Sequence, residues 1–298
     1  MIEQHIHGAF GIDFNKVSNV DNIVMVADKL LEHGIGGFFP TLVTDSAENI
    51  KRQISIIKKA SEICPHILGV HLEGIFINPE KKGIHNPAHF MPLTADNYKL
   101  IEDDFIKIVT LAPELDEGLI SYLKGKNVKV QAGHCVGGDL NNVDGTTHTF
   151  NAMSGITHRN KSTALSALIN DELFAEIIAD GIHVSDDALA LFFKAKPKNK
   201  VLLVSDALPI TNSDIKETVF ADSKIYYDGQ KATSKDGTIA GSTTLLDKIV
   251  KKLGTMGLFN EQYIENPYIY HNLSPFGEII WNKSWDISQI TYEGRTIS

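Results

Sequence analysis

The chain has 298 residues, with 28 Lys and Arg against 37 Asp and Glu and a formal charge of −9. Hydrophobic residues at 43% and charged residues at 22% suit one large globular α/β domain with a small appendage, and exclude a disordered or fibrous chain. No Lys/Arg-rich run offers a footprint for nucleic acid, no apolar run approaches membrane-spanning length, and Cys64 and Cys135 are too few for a disulfide framework.

Short apolar strands alternate with amphipathic helices along the chain. The pattern predicts a strand over 2–6 and a helix over 20–33 with Ile23, Val26, Ala27, Leu30 and Leu31 on one face. A strand over 36–42, a helix over 47–63 and a strand over 67–72 follow, the last running into Glu73 and Gly74. The connection 75–92 is rich in Pro, Gly, His and Lys and has no periodicity, as in loops where barrel enzymes place binding groups. Next come a strand over 106–111, a helix over 115–124, and strands over 128–132 and 146–149. A helix over 162–170, a strand over 174–179, a helix over 186–195 and a strand over 201–204 complete the series. Eight strands with mostly helical crossovers, and no GxGxxG turn after the first, predict a (β/α)8 TIM barrel over residues 1–260 rather than an open doubly wound sheet. Within it, residues 219–240 alternate around Asp228-Gly229 and Asp236-Gly237, which reads as an inserted β-hairpin, and a helix is expected over 244–256. Residues 261–298 read as a tail whose end, 285–297, forms one or two strands pairing with the hairpin in a small, reduced β appendage. The opening MIEQHIHGAF has no charged leader with an apolar core, so a cytoplasmic protein that binds neither nucleic acid nor membrane is expected.

Barrel enzymes draw their catalytic groups from the C-terminal ends of the strands. Here strand one ends in His5 and His7, whose spacing puts both on one side of the strand. Strand three delivers His71 and Glu73, strand five His134, strand six His148, strand seven His183 and strand eight Asp206. Imidazoles with a carboxylate suit Zn²⁺ or Fe²⁺ better than the oxygen-only sites of Mg²⁺ or Ca²⁺. A lone histidine is more often structural, and His33, His66, His89, His158 and His271 are read that way, with His71 as a brace. Asp206 alone could be a helix N-cap. The whole set, arriving at strand exits in order, points to a metal-dependent hydrolase. A serine or cysteine nucleophile finds no support, since no GxSxG elbow is present and Cys135 directly follows His134.

The motifs HIHG at 5–8, PTLVT at 40–44, HLEG at 71–74, KKGIHNP at 81–87 and LAPE at 111–114 come in that order, followed by GH at 133–134, THTFNAM at 147–153, DGIHV at 180–184, SDA at 205–207 and AGS at 240–242. This series resembles the N-acetylglucosamine-6-phosphate deacetylase family of the amidohydrolase superfamily. The resemblance implies that Glu73, His134 and His148 hold the main divalent cation, and that His5 and His7 match a pair that adds a second in some members. It further implies that His85 meets the sugar, that the backbone of Asn151 and Ala152 and the guanidinium of Arg159 hold the 6-phosphate, and that Ile239, Ala240 and Gly241 close over the substrate. Asp206 would pass a proton from the attacking water to the departing amine, and His183 would steady the oxyanion. The implied reaction gives glucosamine 6-phosphate and acetate. The alternatives are a galactosamine isomer, an unphosphorylated sugar, or a non-catalytic sugar-phosphate-binding homologue. A homodimer is also implied, because in family members the arginine can reach a neighbouring subunit. The chain departs from the pattern at Ile75, where the family has proline, and at Cys135. Only four residues precede His5, and the Gly-rich segment before the last strands is missing, so the β domain is expected to be reduced.

Overall fold

Strands of a parallel barrel are covered on both faces and therefore read as continuous apolar runs. In the structure, a computed structural model describing residues 1–297, eight largely buried strands, several interrupted by polar residues, form one parallel sheet in chain order. They are β1 (Ile2–Ile6), β2 (Gly37–Leu42), β3 (Val70–Glu73), β4 (Ile106–Leu111), β5 (Lys129–Ala132), β6 (Gly145–Thr146), β7 (Phe174–Ile177) and β8 (Val201–Leu203). The ends meet just past β8, where Asp206 N donates to His5 O and His7 N to Ala207 O, each at 2.9 Å. The (β/α)8 expectation is met.

Helices α1 (Val20–Glu32), α2 (Ala47–Ser61), α3 (Ala95–Lys99), α4 (Leu119–Gly125), α5 (Thr163–Ile169), α6 (Asp186–Ala195) and α7 (Leu246–Thr255) follow the chain around the sheet. Five of them begin where a short polar side chain accepts the backbone N–H three residues on: Asn19, Ser46, Thr94, Ser162 and Ser185. In α1, Ile23, Val26, Ala27 and Leu30 are buried, and each large apolar side chain so covered contributes about 1.5–3 kcal/mol.

The inside of the barrel is polar as well as apolar. Gln4, His71, Thr110, Gln131 and Glu176 are fully buried. They are tied together by hydrogen bonds: His71 Nε2 lies 2.8 Å from Thr110 Oγ1, which lies 2.7 Å from Thr147 Oγ1, and Thr147 donates to Gln131 Oε1 at 3.1 Å. A satisfied network of this kind fixes strand order without leaving an uncompensated polar group.

Several sequence expectations are corrected. The strand expected over 146–149 ends at Thr146, because His148 and Phe150 turn the backbone to positive φ. The helix expected over 115–124 starts at Leu119, after a 3₁₀ turn over Pro113–Leu115 and Gly118 at φ 100°. Residues read as plain tail contain an eighth helix, α8 (Gln262–His271), which carries Pro267 inside it. Its Asn266 donates to Lys198 O and Val201 O, at 2.8 and 2.7 Å, and so anchors it against the start of β8.

The hairpin region is a three-stranded antiparallel sheet, β9 (Glu217–Phe220), β10 (Ser223–Tyr227) and β11 (Ala232–Ser234). The tail forms another: β12 (Gly277–Trp281), β13 (Ile287–Tyr292) and β14 (Arg295–Thr296). The two sheets do not pair with each other, contrary to expectation, because each rests on a different part of the barrel. Phe220, Ala221, Ile225 and Ala232 of the first pack with Val43, Leu208 and Ile210 near the strand exits. Tyr292 of the second stacks on His66 at 4.5 Å, and Trp285 meets the Phe259 ring at 5.1 Å, beyond α7. Among the described residues, no helix is long and apolar enough to cross a membrane.

Candidate active site

The exits of the strands converge on Glu73. Its Oε1 lies 2.8 Å from His148 Nε2 and 3.2 Å from His134 Nε2. Its Oε2 lies 3.1 Å from His7 Nε2 and 3.4 Å from His5 Nε2. Asp206 Oδ1 completes the second group, 3.0 Å from His7 Nε2 and 3.5 Å from His5 Nε2. Thus one carboxylate joins two sets, Glu73–His134–His148 and His5–His7–Glu73–Asp206, with ligand atoms within 4.8 Å of one another in each. Sequence reasoning names all of these residues but does not place Asp206 in the His5–His7 set.

Local backbone geometry produces the convergence. His134, His148 and Asp206 have φ values of 50°, 30° and 51°, in the left-handed region. For a residue with a Cβ this conformation costs about 1–2 kcal/mol, and here it bends the chain just as each strand ends. Ile75 stands at φ 66°, which a proline ring cannot reach, and its N–H donates to Thr44 Oγ1 at 2.9 Å. The departure from the family proline therefore has a structural use. Thr44 Oγ1 in turn lies 2.8 Å from His85 Nδ1 and holds that ring toward the site.

The electrostatics call for a cation. Glu73 and Asp206 are buried, and among the described residues their ion-pair partners are histidines alone. Burial pushes the Glu73 carboxyl up, but the charge of His5 and hydrogen bonds from His134 and His148 hold it well below the usual range. Burial pushes His7 down, yet its hydrogen bonds with Asp206 and Glu73 lift it to about 9. The site thus balances buried carboxylates with protons on imidazoles. His5 Nε2 is buried without a hydrogen-bond partner, although it faces both carboxylates. An imidazole nitrogen without a hydrogen-bond partner, set between two buried carboxylates, fits a divalent cation in place of those protons.

A cavity of about 310 Å³ opens above the clusters, a size that holds a monosaccharide derivative. His7, Glu73, His85, His134, His148, Asn151, Ala152, His183, Asp206, Ile239, Ala240 and Gly241 line it, while His5 lies buried beneath. Arg159 is not brought there. It sits on the exposed loop 155–161 and does not line the cavity of its own chain. His183 is held twice, with Nδ1 2.8 Å from Asp180 Oδ2 and Nε2 2.8 Å from Ala240 O. Burial lowers its pKa, and Asp180 more than offsets this, so His183 is raised and donates from both nitrogens.

No family model matches the chain. It is 34% identical over 277 residues to the N-acetylglucosamine-6-phosphate deacetylase of Bos taurus, covering 84% of this chain and 67% of that protein. Against the Bacillus subtilis protein of the same name, identity is 32% over 260 residues, covering 81% and 65%. The chain belongs to the N-acetylglucosamine-6-phosphate deacetylase family. It spans about two thirds of the length of these curated relatives. The solved structure of the Thermotoga maritima member superposes with a TM-score of 0.91 at 24% identity, covering 100% of this chain and 87% of that one. The barrel is therefore the family's fold.

The structure adds residues that sequence reasoning passes over. Asp180 is visible only as part of the DGIHV motif, where its Oδ1 also accepts the N–H groups of Ile182 and His183 at 2.8 and 2.9 Å. Thr44 is likewise visible only as the end of the PTLVT motif, and Phe220 gives no signal, since the partners of both are distant in the chain. The Phe220 ring meets His7 edge-on at 5.2 Å and walls one side of the cavity. The histidines read as structural bear that reading where bonds are seen: His33 pairs with Asp247 at 3.1 Å, His66 with Gly36 O at 3.2 Å, and His271 with Gln4 Oε1 at 3.0 Å.

Proposed function

We propose that this chain hydrolyses the N-acetyl group of N-acetylglucosamine 6-phosphate, giving glucosamine 6-phosphate and acetate. The observation that carries the reading is Asp206. Like Glu73 it lines the sugar-sized cavity and belongs to a cluster of possible cation ligands, but whereas Glu73 joins both clusters Asp206 belongs to the His5–His7 set alone. Zn²⁺ or Fe²⁺, one held by Glu73, His134 and His148 and a second by His5, His7, Glu73 and Asp206, would supply Lewis acidity to the amide and the attacking water.

The chain's own groups do the rest. Asp206 accepts the proton that water loses as its oxygen bonds to the acetyl carbon. It then gives that proton to the amine nitrogen as the C–N bond breaks, because an amine leaves poorly as an anion. His183, protonated against Asp180, donates from Nε2 to the oxyanion in place of Ala240 O. His85 orients the sugar ring, and Asn151 and Ala152 at the cavity edge take the phosphate with backbone N–H groups, that of Asn151 turning to it from His148 O. Arg159 stands clear of its own cavity, which suits a phosphate contact across a subunit boundary, so the reading includes a cytoplasmic homodimer. Sedimentation equilibrium giving the mass of a single chain would remove that part.

The test is Asp206→Asn, since an amide cannot carry the proton. Turnover should be abolished with the cation on Glu73, His134 and His148 retained. An Asp206→Asn protein that still releases acetate at the parent rate contradicts the mechanism.

A further inference from the structure

The imidazoles of the site all turn Nε2 inward, and they differ in what holds Nδ1. His7 Nδ1 lies 3.2 Å from Thr41 O, His134 Nδ1 2.7 Å from Lys81 O, and His85 Nδ1 2.8 Å from Thr44 Oγ1. His148 Nδ1 is buried without a partner. Of the five imidazoles that face Glu73, His5 alone is backed by a carboxylate: its Nδ1 is 3.1 Å from Glu176 Oε2.

Glu176 is an unusual occupant of its position. It interrupts the apolar run LFAEII at 173–178, inside a barrel whose interior layers are ordinarily branched and apolar. It is fully buried, and among the described residues no Lys or Arg pairs with it. A buried carboxylate is costly unless its oxygens are hydrogen-bonded. All its partners belong to the two clusters or brace them. Besides His5, Oε2 accepts the backbone N–H of His148 at 3.1 Å, and Oε1 accepts Gln4 Nε2 at 2.6 Å. Gln4 is itself fixed, its Oε1 accepting from His271 Nε2 at 3.0 Å. Burial and the nearby Lys129 push His271 down to about 3, so it is neutral and serves as a fixed donor.

We propose that Glu176 is the positioning residue of the His5–His7 cation site: it fixes His5 with Nδ1 protonated and Nε2 free for a cation, and through His148 N–H it sets the spacing to the other site. The inference rests on reading this centre as one that takes two cations. A carboxylate behind an imidazole fixes its tautomer and raises its basicity as a ligand. A merely structural Glu176 would support the barrel and leave cation affinity unchanged.

The experiment is calorimetric titration of the metal-free protein with Zn²⁺ alone, for the parent, Glu176→Leu, Glu176→Gln, His5→Ala and the Glu176→Leu/His5→Ala pair. The parent should bind two equivalents, the weaker one absent in His5→Ala. Glu176→Leu should weaken that equivalent roughly 10- to 100-fold, Glu176→Gln less, with the other equivalent little changed. On the His5→Ala background Glu176→Leu should leave the one remaining equivalent as it is, whereas a general structural defect would weaken that equivalent too. Should Glu176→Leu fail to fold, Glu176→Gln, which keeps the shape, carries the same comparison. Unchanged affinities in the Glu176 variants, or one equivalent in the parent, overturn the proposal. Acetate release by the parent is measured alongside: its absence, with Glu176-dependent binding of the second equivalent, would sink the proposed reaction and leave the positioning role standing.

Discussion

Two small sheets of equal strand number flank this barrel, and they have different consequences. The sheet β9–β10–β11 sits over the strand exits and puts Phe220 and the loop through Gly241 into the wall of the cavity. The sheet β12–β13–β14 rests on the side of the barrel near α1 and α7, and none of its residues lines the cavity. A three-stranded sheet gains its stability from whatever it packs on. Both therefore contribute to the fold through borrowed contacts, but only the one lying over the exits shapes chemistry.

The contrast can be broken at one residue on each side. Gly241 lies against Asp206: a Cβ there would collide with the Asp206 carbonyl oxygen and come 3.1 Å from Oδ1. Gly241→Ala should move the loop off Asp206, the proposed acid–base group, and lower kcat/KM about 100-fold, with little change in unfolding midpoint. Trp285, in the tail, lies against Gly254 of α7. Because it is partly buried, Trp285→Ala should cost about 2 kcal/mol in urea unfolding, less than the 3–5 kcal/mol of a wholly buried Trp, with kcat/KM unchanged. Equal effects of the two variants on both measurements would erase the distinction.

The smallest expected effect lies at the C-terminal end of α6. Burial pushes Lys196 down to about 8, while its ammonium donates to Ala167 O and Asn170 O at 2.8 and 2.7 Å at the end of α5. Its folded pKa is below its unfolded value, so between the two the unfolded state binds more protons. Stability should therefore rise from about pH 8 toward 10.5 through this group. In Lys196→Met that part of the slope should vanish. An identical slope in parent and variant would remove Lys196 as its source.

The same contrast explains what the sequence makes legible. The site is easy to read where an imidazole or carboxylate ends an apolar run, as at His134 and Glu73, since that break in pattern coincides with the strand exit. The barrel follows from the same runs. Helix α8 is hidden because Pro267 argues against a helix, and because Tyr263, Asn266, Tyr268 and Tyr270 are buried on too many sides to leave an amphipathic stripe. β9 is hidden because its turn, Ala221–Asp222, takes φ values of 48° and 61° without the Gly or Asn that marks such a turn. The supports of the site, Thr44 for His85 and Glu176 for His5, act across 41 and 171 residues of sequence, a separation that no local pattern encodes. Arg159 shows the opposite limit. The family resemblance implies a phosphate contact for it, yet the fold leaves it on an exposed loop outside its own cavity.

The most direct test is acetate release by the metal-loaded protein from N-acetylglucosamine 6-phosphate, with the galacto isomer and unphosphorylated N-acetylglucosamine beside it. Turnover of the 6-phosphate, with the unphosphorylated sugar untouched, is the predicted result. Release from none of the three by protein with cation bound at Glu73, His134 and His148 would contradict the deacetylase account.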